Sequence, residues 1–247
     1  MGVAELILIR HGESLGNAAA AQAYAEDAEV IQVGARDADV ELSPVGREQA
    51  EALGRGLKPL LTDGVPTLLW SSPYVRAQQT AVLSVAAAGA EAPVRLDERL
   101  RDRELGVLDL LTWKGVENRF PLEAERRRWL GKFYHRPPGG ESWADVTLRV
   151  RSFLRDLDAV AADDGRVVLF CHDALVLIFR YVCEGLSENE VLDIGVQTPV
   201  KNVSLTHLGP TSDGGWEVRL FNDVSHLEAS DAPVTQHPGD PHVHPQT

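Results

Sequence analysis

The sequence predicts an α/β fold, a three-layer sandwich with a mainly parallel central sheet flanked by helices. Three observations point to it. Short apolar, β-branched runs recur along the chain, segments with helical apolar spacing lie between them, and the early runs stop at polar or Gly-containing turns. Runs that are apolar at every position belong to strands covered on both faces, the usual setting of a parallel sheet between helical layers. With 247 residues, 44% apolar and 25% charged, the chain can bury roughly 70–75% of its unfolded surface around one core.

Taken in order, Leu6-Ile7-Leu8-Ile9 predicts the first strand, ending at Arg10-His11-Gly12-Glu13-Ser14. Ser43 and Pro44 predict the N-cap and first position of a helix whose apolar face carries Val45, Ala50, Leu53, Leu57 and Leu60. Residues 67–70 form a second strand that ends at Ser71-Ser72-Pro73, with a helix over 74–88 behind it. Residues 106–140 break the alternation: rich in Arg, Glu and aromatics and closed by Pro137-Pro138-Gly139-Gly140, they predict a helical cap insertion. A helix from Ser142 presents Trp143, Val146, Val150, Phe153, Leu154 and Leu157 on one face. Residues 167–171 form a third strand, 174–183 a strongly apolar helix, and 203–208 and 216–221 two more strands. The domain is thus expected over 1–228 and a flexible tail over 229–247, because 233–247 hold four of the 14 prolines and no apolar periodicity. His237, His242 and His244 fall in that tail, without a fixed backbone to make them metal ligands.

Charge narrows the partners. With 24 Lys and Arg against 37 Asp and Glu, the net charge of −13 leaves no basic face to hold a phosphate backbone, so nucleic acid is not expected as a partner. No stretch approaches the roughly 18–20 apolar residues that span a bilayer, and no membrane partner is expected either. Cys171 and Cys183, the two cysteines, lie in apolar stretches, and the amino terminus lacks the pattern of a signal peptide; both point to a cytoplasmic protein.

The residues that carry chemistry sit where strands end. In a parallel sheet the carboxyl ends share one edge, and open α/β sheets bind ligands there. Arg10 and His11 end the first strand, His172 follows the third directly, and Ser71-Ser72-Pro73 leads from the second to Arg76 on the next helix. Three strand ends therefore converge on one basic pocket.

Arg10-His11-Gly12-Glu13-Ser14 with Asn17, Ser71-Ser72-Pro73-Tyr74-Val75-Arg76-Ala77-Gln78-Gln79-Thr80-Ala81, and His172 after its strand resemble the histidine phosphatase superfamily, the phosphoglycerate mutase-like fold. The resemblance extends through Leu42-Ser43-Pro44-Val45-Gly46-Arg47-Glu48-Gln49-Ala50 and Pro138-Gly139-Gly140-Glu141-Ser142, covering most of residues 5–227. It implies that His11 attacks phosphorus as a neutral imidazole and forms a phosphohistidine that water hydrolyses. Arg10, Arg76 and His172 would supply donors to the equatorial oxygens, and Ser14 and Asn17, at the start of the next helix, would help bind the phosphate. Neither a metal nor a cofactor is required.

The proton donor is where the chain departs from the resembling family. Members carry a Glu four residues before a Gly; here Asp102 stands at that place in Leu100-Arg101-Asp102-Arg103-Glu104-Leu105-Gly106. Such an acid needs a pKa raised by burial or by neighbouring anions. Glu104 is a local rival, and Asp173 is a third candidate, because one branch of the family has a proton-donating Asp directly after the second histidine where the mutase-like branch has Gly.

Other patterns point to structure. Arg180 lies nine residues after Cys171, not at the spacing of a cysteine phosphatase loop, and Cys171 reads as core. A metal between His11 and His172 would face two repelling arginines. His135, His207 and His226 have weak claims, Arg126-Arg127-Arg128 reads as a solvated face, and Trp113, Phe120, Trp129, Phe133 and Tyr134 read as packing of the cap.

The expectation is a metal-independent phosphatase acting on a small phosphorylated substrate, as a monomer or homodimer. The alternatives are a phosphoglycerate mutase using the same intermediate, and a binding module that holds a phosphorylated ligand without turnover. The stretch Leu105-Gly106-Val107-Leu108-Asp109-Leu110 does not resemble the longer sequence that follows the acid in mutases.

Overall fold

The structure, a computed structural model, describes residues 3–160 and 165–236. Its six-stranded sheet runs β3 (Val94–Leu96), β2 (Thr67–Ser71), β4 (Gly165–Cys171), β1 (Val3–Arg10), β5 (Leu205–Pro210) and β6 (Trp216–Asp223). β1, β2, β3 and β4 pair in parallel, while β5 and β6 are antiparallel additions at one edge. The expected α/β class and mainly parallel sheet are what the chain adopts.

Pleating sorts the apolar runs into two cores. Leu6, Leu8, Val167, Leu169 and Cys171 face one side of the sheet. There they meet α6 (Trp143–Val160) and α7 (Asp173–Glu184) through Val150, Phe153, Leu175 and Phe179. Ile7, Ile9, Val168 and Phe170 face the other side, against Leu53 and Leu57 of α2 (Pro44–Thr62) and Ala81 and Val85 of α3 (Val75–Ala88). This two-sided burial is why residues 6–9 and 167–171 are apolar throughout.

The remaining helices are α1 (Leu15–Ala25), α4 (Trp113–Arg119), α5 (Pro121–Tyr134), α8 (Glu188–Gln197) and α9 (Ser225–Glu228). α4 and α5 fall inside the segment read as an insertion. α5 breaks at Gly131, whose φ of 73° only glycine adopts readily. Among the described residues, the cap aromatics do not line the central cavity described below: Trp113 and Phe120 pack around Leu108, Val116 and Ala124, and Phe133 joins the main core.

Two expectations need correction. Arg127, read as solvated, is buried beneath the ring plane of Trp113, its guanidinium carbon 5.6 Å from the ring centroid. The start of the supposed tail is also packed. Ala232 is buried, the Pro233 carbonyl and Thr235 Oγ1 each accept from Gln49 Nε2 at 2.8 Å, and Thr235 Oγ1 donates to Asn202 Oδ1 at 3.0 Å. These contacts order 232–235 because their backbone and hydroxyl groups complete buried polar networks that would otherwise lack partners. His237, His242 and His244 lie outside the described residues.

Candidate active site

The register of the parallel strands puts the chemistry-bearing residues side by side. Arg10 is level with Cys171, so His11 and His172 are the next residues beyond adjacent strand ends, and the His11 N–H bonds the Cys171 carbonyl at 2.9 Å. The Ser72 N–H bonds the Phe170 carbonyl at 2.9 Å, which brings the β2 end to the same level. α1, α3 and α7 all begin here, and the N-cap residues of α3 and α7, Tyr74 and His172, make no side-chain cap. Three positive helix ends thus face one cavity of about 340 Å³.

Glycine makes the first turn possible. A Cβ on Gly12 would lie 2.6 Å from the Gly46 carbonyl oxygen, and one on Gly46 would lie 2.0 Å from the Glu13 carbonyl oxygen. The turn after β1 can therefore lean directly on the start of α2, where Ser43 Oγ caps Gly46 N–H and donates to Glu13 Oε1.

His11 is 3% exposed and its ring is fixed from both sides. Nδ1 lies 2.7 Å from the Gly12 carbonyl, an acceptor only, so Nδ1 carries the proton. Nε2 accepts from Arg76 Nε–H at 3.2 Å, so its one lone pair is held by Arg76, and His11 lines the cavity. Burial, reinforced by Arg76, His172 and Arg10, holds the imidazole well below its usual pKa. His11 is a neutral base with a defined tautomer.

Around it stand Arg10, Arg76 and His172, none more than 4% exposed. Arg10 donates Nη1–H to the Val200 carbonyl, and its buried Nε–H has no acceptor among the described residues. The His11 and His172 rings meet edge-on at 5.1 Å, and His172 Nε2 is 2.9 Å from Ser72 Oγ. Burial lowers the His172 pKa against the opposing pull of Asp102.

The three acid candidates differ sharply. Asp102 enters the cluster: Oδ2 is 3.2 Å from Arg76 Nη2 and 3.3 Å from His172 Nδ1, and Arg149 pins its carbonyl. Burial pushes this carboxyl up, but His172 and Arg76 more than offset it and hold it well below the usual range. The raised value expected from sequence is thus reversed in the structure, because Arg76 and His172, which would gather phosphate, also stabilise the carboxylate. Asp173 lines the cavity as the first residue of α7, with Oδ1 accepting from Ala174 N–H. Glu104 lines the mouth and accepts from the Tyr74 hydroxyl at 2.7 Å.

Ser14 and Asn17 also line the cavity, but they form a capping box with each other, so their oxygens are engaged. His135 is buried against Glu123, and His207 lies on β5 near Glu5. Among the described residues, no group of three or more His, Cys, Asp or Glu is arranged to hold a metal ion.

Three positions escaped the sequence reading. Asn202, fully buried, donates Nδ2–H to the His11 carbonyl at 3.0 Å; Gln49 Oε1 accepts from Glu13 N–H at 2.9 Å; and Asp37 grips Arg76. A polar Asn between the apolar Val200 and Val203 was the available signal for the first.

Comparison with known proteins is consistent with this arrangement. Residues 6–224 match the histidine phosphatase superfamily (branch 1). A 2,3-bisphosphoglycerate-dependent phosphoglycerate mutase of Methylobacterium radiotolerans is 30% identical over 198 residues, 79% of this chain and 86% of the relative. A glucosyl-3-phosphoglycerate phosphatase of Mycolicibacterium vanbaalenii is 31% identical over 192 residues, 75% of this chain and 76% of that one. The solved structure of a mycobacterial glucosyl-3-phosphoglycerate phosphatase in complex with VO3 superimposes with a TM-score of 0.70 at 27% identity, covering 90% of this chain and all of the other.

Proposed function

The chain belongs to the histidine phosphatase superfamily (branch 1), and within it we propose a phosphatase that hydrolyses a small phosphomonoester through a phosphohistidine on His11. The observation that carries this is the fixed tautomer of a buried, neutral His11, with Nδ1–H on the Gly12 carbonyl and an unprotonated Nε2 whose lone pair is held by Arg76 Nε–H and is freed when a phosphate draws Arg76 away.

In the first half-reaction the Nε2 lone pair forms a bond to phosphorus as the ester P–O bond breaks. Positive charge that develops on the ring is stabilised through Nδ1–H by the Gly12 carbonyl. Arg10 Nε–H, Arg76, His172 and the helix ends face the oxygens that gain charge. Asp102 protonates the departing alkoxide: a bound phosphate claims Arg76, and its negative charge reverses the bias that keeps Asp102 ionised. In the second half-reaction the same carboxylate takes a proton from water, the oxygen bonds to phosphorus, and the P–N bond breaks to release phosphate and neutral His11.

A mutase would hold an anionic acid in place while the phosphoryl group returned to it. Besides Arg103 and Lys132 the cavity also carries Asp37, Glu104 and Asp109, and burial together with Asp37 and Glu104 raises the Asp109 carboxyl. Those three carboxylates favour hydrolysis and release, and they bear equally on leaving groups such as the one named by the glucosyl-3-phosphoglycerate relative.

The test is phosphate release from an aryl phosphate and from 3-phosphoglycerate, in chelator, by the wild type and His11→Ala. Release by the wild type and its loss in the variant is the expected result. Isomerisation of 3-phosphoglycerate without release would establish the mutase, and binding without turnover would establish the binding module.

A further inference from the structure

Arg76 has five N–H donors, and the protein already occupies its guanidinium on every nitrogen. Nε–H goes to His11, Nη1 contacts the Asp37 carbonyl at 2.6 Å and Asp37 Oδ1 at 3.0 Å, and Nη2 contacts Asp37 Oδ2 and Asp102 Oδ2, both at 3.2 Å. The Asp37 carboxylate lies across the two terminal nitrogens in the forked geometry that a phosphate would adopt. Both it and Arg76 line the cavity, with the arginine side chain 5% exposed and the aspartate side chain 37% exposed. One partner is held in the interior and the other faces outward.

The segment that delivers Asp37 is anchored independently of this ion pair. Asp37 opens a 3-10 turn. Upstream, Ile31 N–H bonds the Leu110 carbonyl, and Thr112 Oγ1 and N–H bond the carbonyls of Ala28 and Glu29; downstream, Leu42 N–H bonds Gln79 Oε1. The main-chain contact from Arg76 to the Asp37 carbonyl survives any movement of the Asp37 side chain. The carboxylate can therefore rotate off Arg76 while the turn stays docked.

Resting on the phosphatase reading, we propose that Asp37 is an internal competitor for the phosphate site, a carboxylate that occupies Arg76 and must rotate away each time a phosphate group binds. It weakens the grip on free phosphate and so hastens release of the product, which binds through the same donors but lacks the leaving group's contacts. It thereby sets product affinity rather than taking part in bond making. A side chain that occupies its donors nine-tenths of the time weakens the apparent affinity of a competing ligand about tenfold.

The test is calorimetric titration of inorganic phosphate into wild type, Asp37→Asn, Asp37→Ala and Asp39→Asn, together with phosphate product inhibition of the same proteins. Asp39 is the neighbouring carboxylate engaged by Arg36, and its replacement makes the same change in net charge. The expected result is a dissociation constant and an inhibition constant about tenfold lower in both Asp37 variants and unchanged in Asp39→Asn. Equal or weaker phosphate binding in the Asp37 variants overturns the proposal and makes Asp37 a positioning residue for Arg76. Equal tightening in Asp39→Asn overturns it in favour of a general charge effect. Phosphate binding in no protein, wild type included, overturns the phosphatase reading and the competitor with it.

Discussion

A carboxyl group that is to give a proton to a leaving alkoxide stands here between a guanidinium and an imidazole, and the pull of those two cannot be guessed from an Asp in a string of charged residues. Asp102 is the candidate inside the His11 and His172 cluster, whereas Asp173 already serves the backbone of α7. Asp102→Asn should therefore lower kcat for an aryl phosphate by about 10²–10⁴, the usual worth of a general acid, and Asp173→Asn should leave it nearly unchanged. Steady-state kinetics of the two variants decide between them, and the reverse ranking would move the role to Asp173. Arg10, His11, Arg76 and His172 were legible because each stands at or just beyond a strand end that its own apolar run announces. Asp37 and Asn202 were not, since each acts on a partner 39 or 191 residues away and no local pattern links the pairs.

At the scale of elements, the long strands and helices were readable from their apolar spacing, and Ser43 and Pro44 begin α2 as their chemistry requires. The three-residue β3 is too short to show a period, and the edge strand β6 runs antiparallel to β5 because the two are joined by a turn rather than a crossover helix. The docked segment after α9 was missed for a different reason. Its Pro-rich composition resembles a solvated linker, but its hydroxyl and carbonyl groups satisfy Gln49 and Asn202, which in turn hold the backbone of Glu13 and His11. Thr235→Val removes the hydroxyl from two bonds while keeping the shape. At about 1 kcal/mol for each bond, it should destabilise the protein by about 2 kcal/mol, read as a lower urea midpoint with an unchanged m-value. No change would mean that this segment does not brace the site.

For the molecule as a whole, one buried histidine sets an acid limit. His226 on α9 is 8% exposed against Gly56, and burial brings its pKa down to about 4, with Asp223 and Val203 opposing. Its folded value lies below the ordinary histidine value of about 6.5, so the neutral ring is the folded form. The resulting stability, about 3 kcal/mol, is complete above pH 6.5 and is lost as the pH falls toward 4. Urea midpoints of wild type should fall steeply between pH 6.5 and 4.5, and those of His226→Gln less steeply; parallel slopes would assign the acid sensitivity to other groups.

The order of the sheet has a consequence for how the chain is made. β1 leaves the ribosome before the other five strands of its sheet, and its neighbours are β4 and β5. Leu6 pairs with Val167, so more than 150 residues must follow before either flank of β1 is covered. At about 5–20 residues per second, an apolar segment with both edges open waits roughly 10–30 s during synthesis for its partner. During that interval Leu6, Ile7, Leu8 and Ile9 lack their partner strands in the sheet, and an open apolar edge of this kind is a template for a strand of another chain.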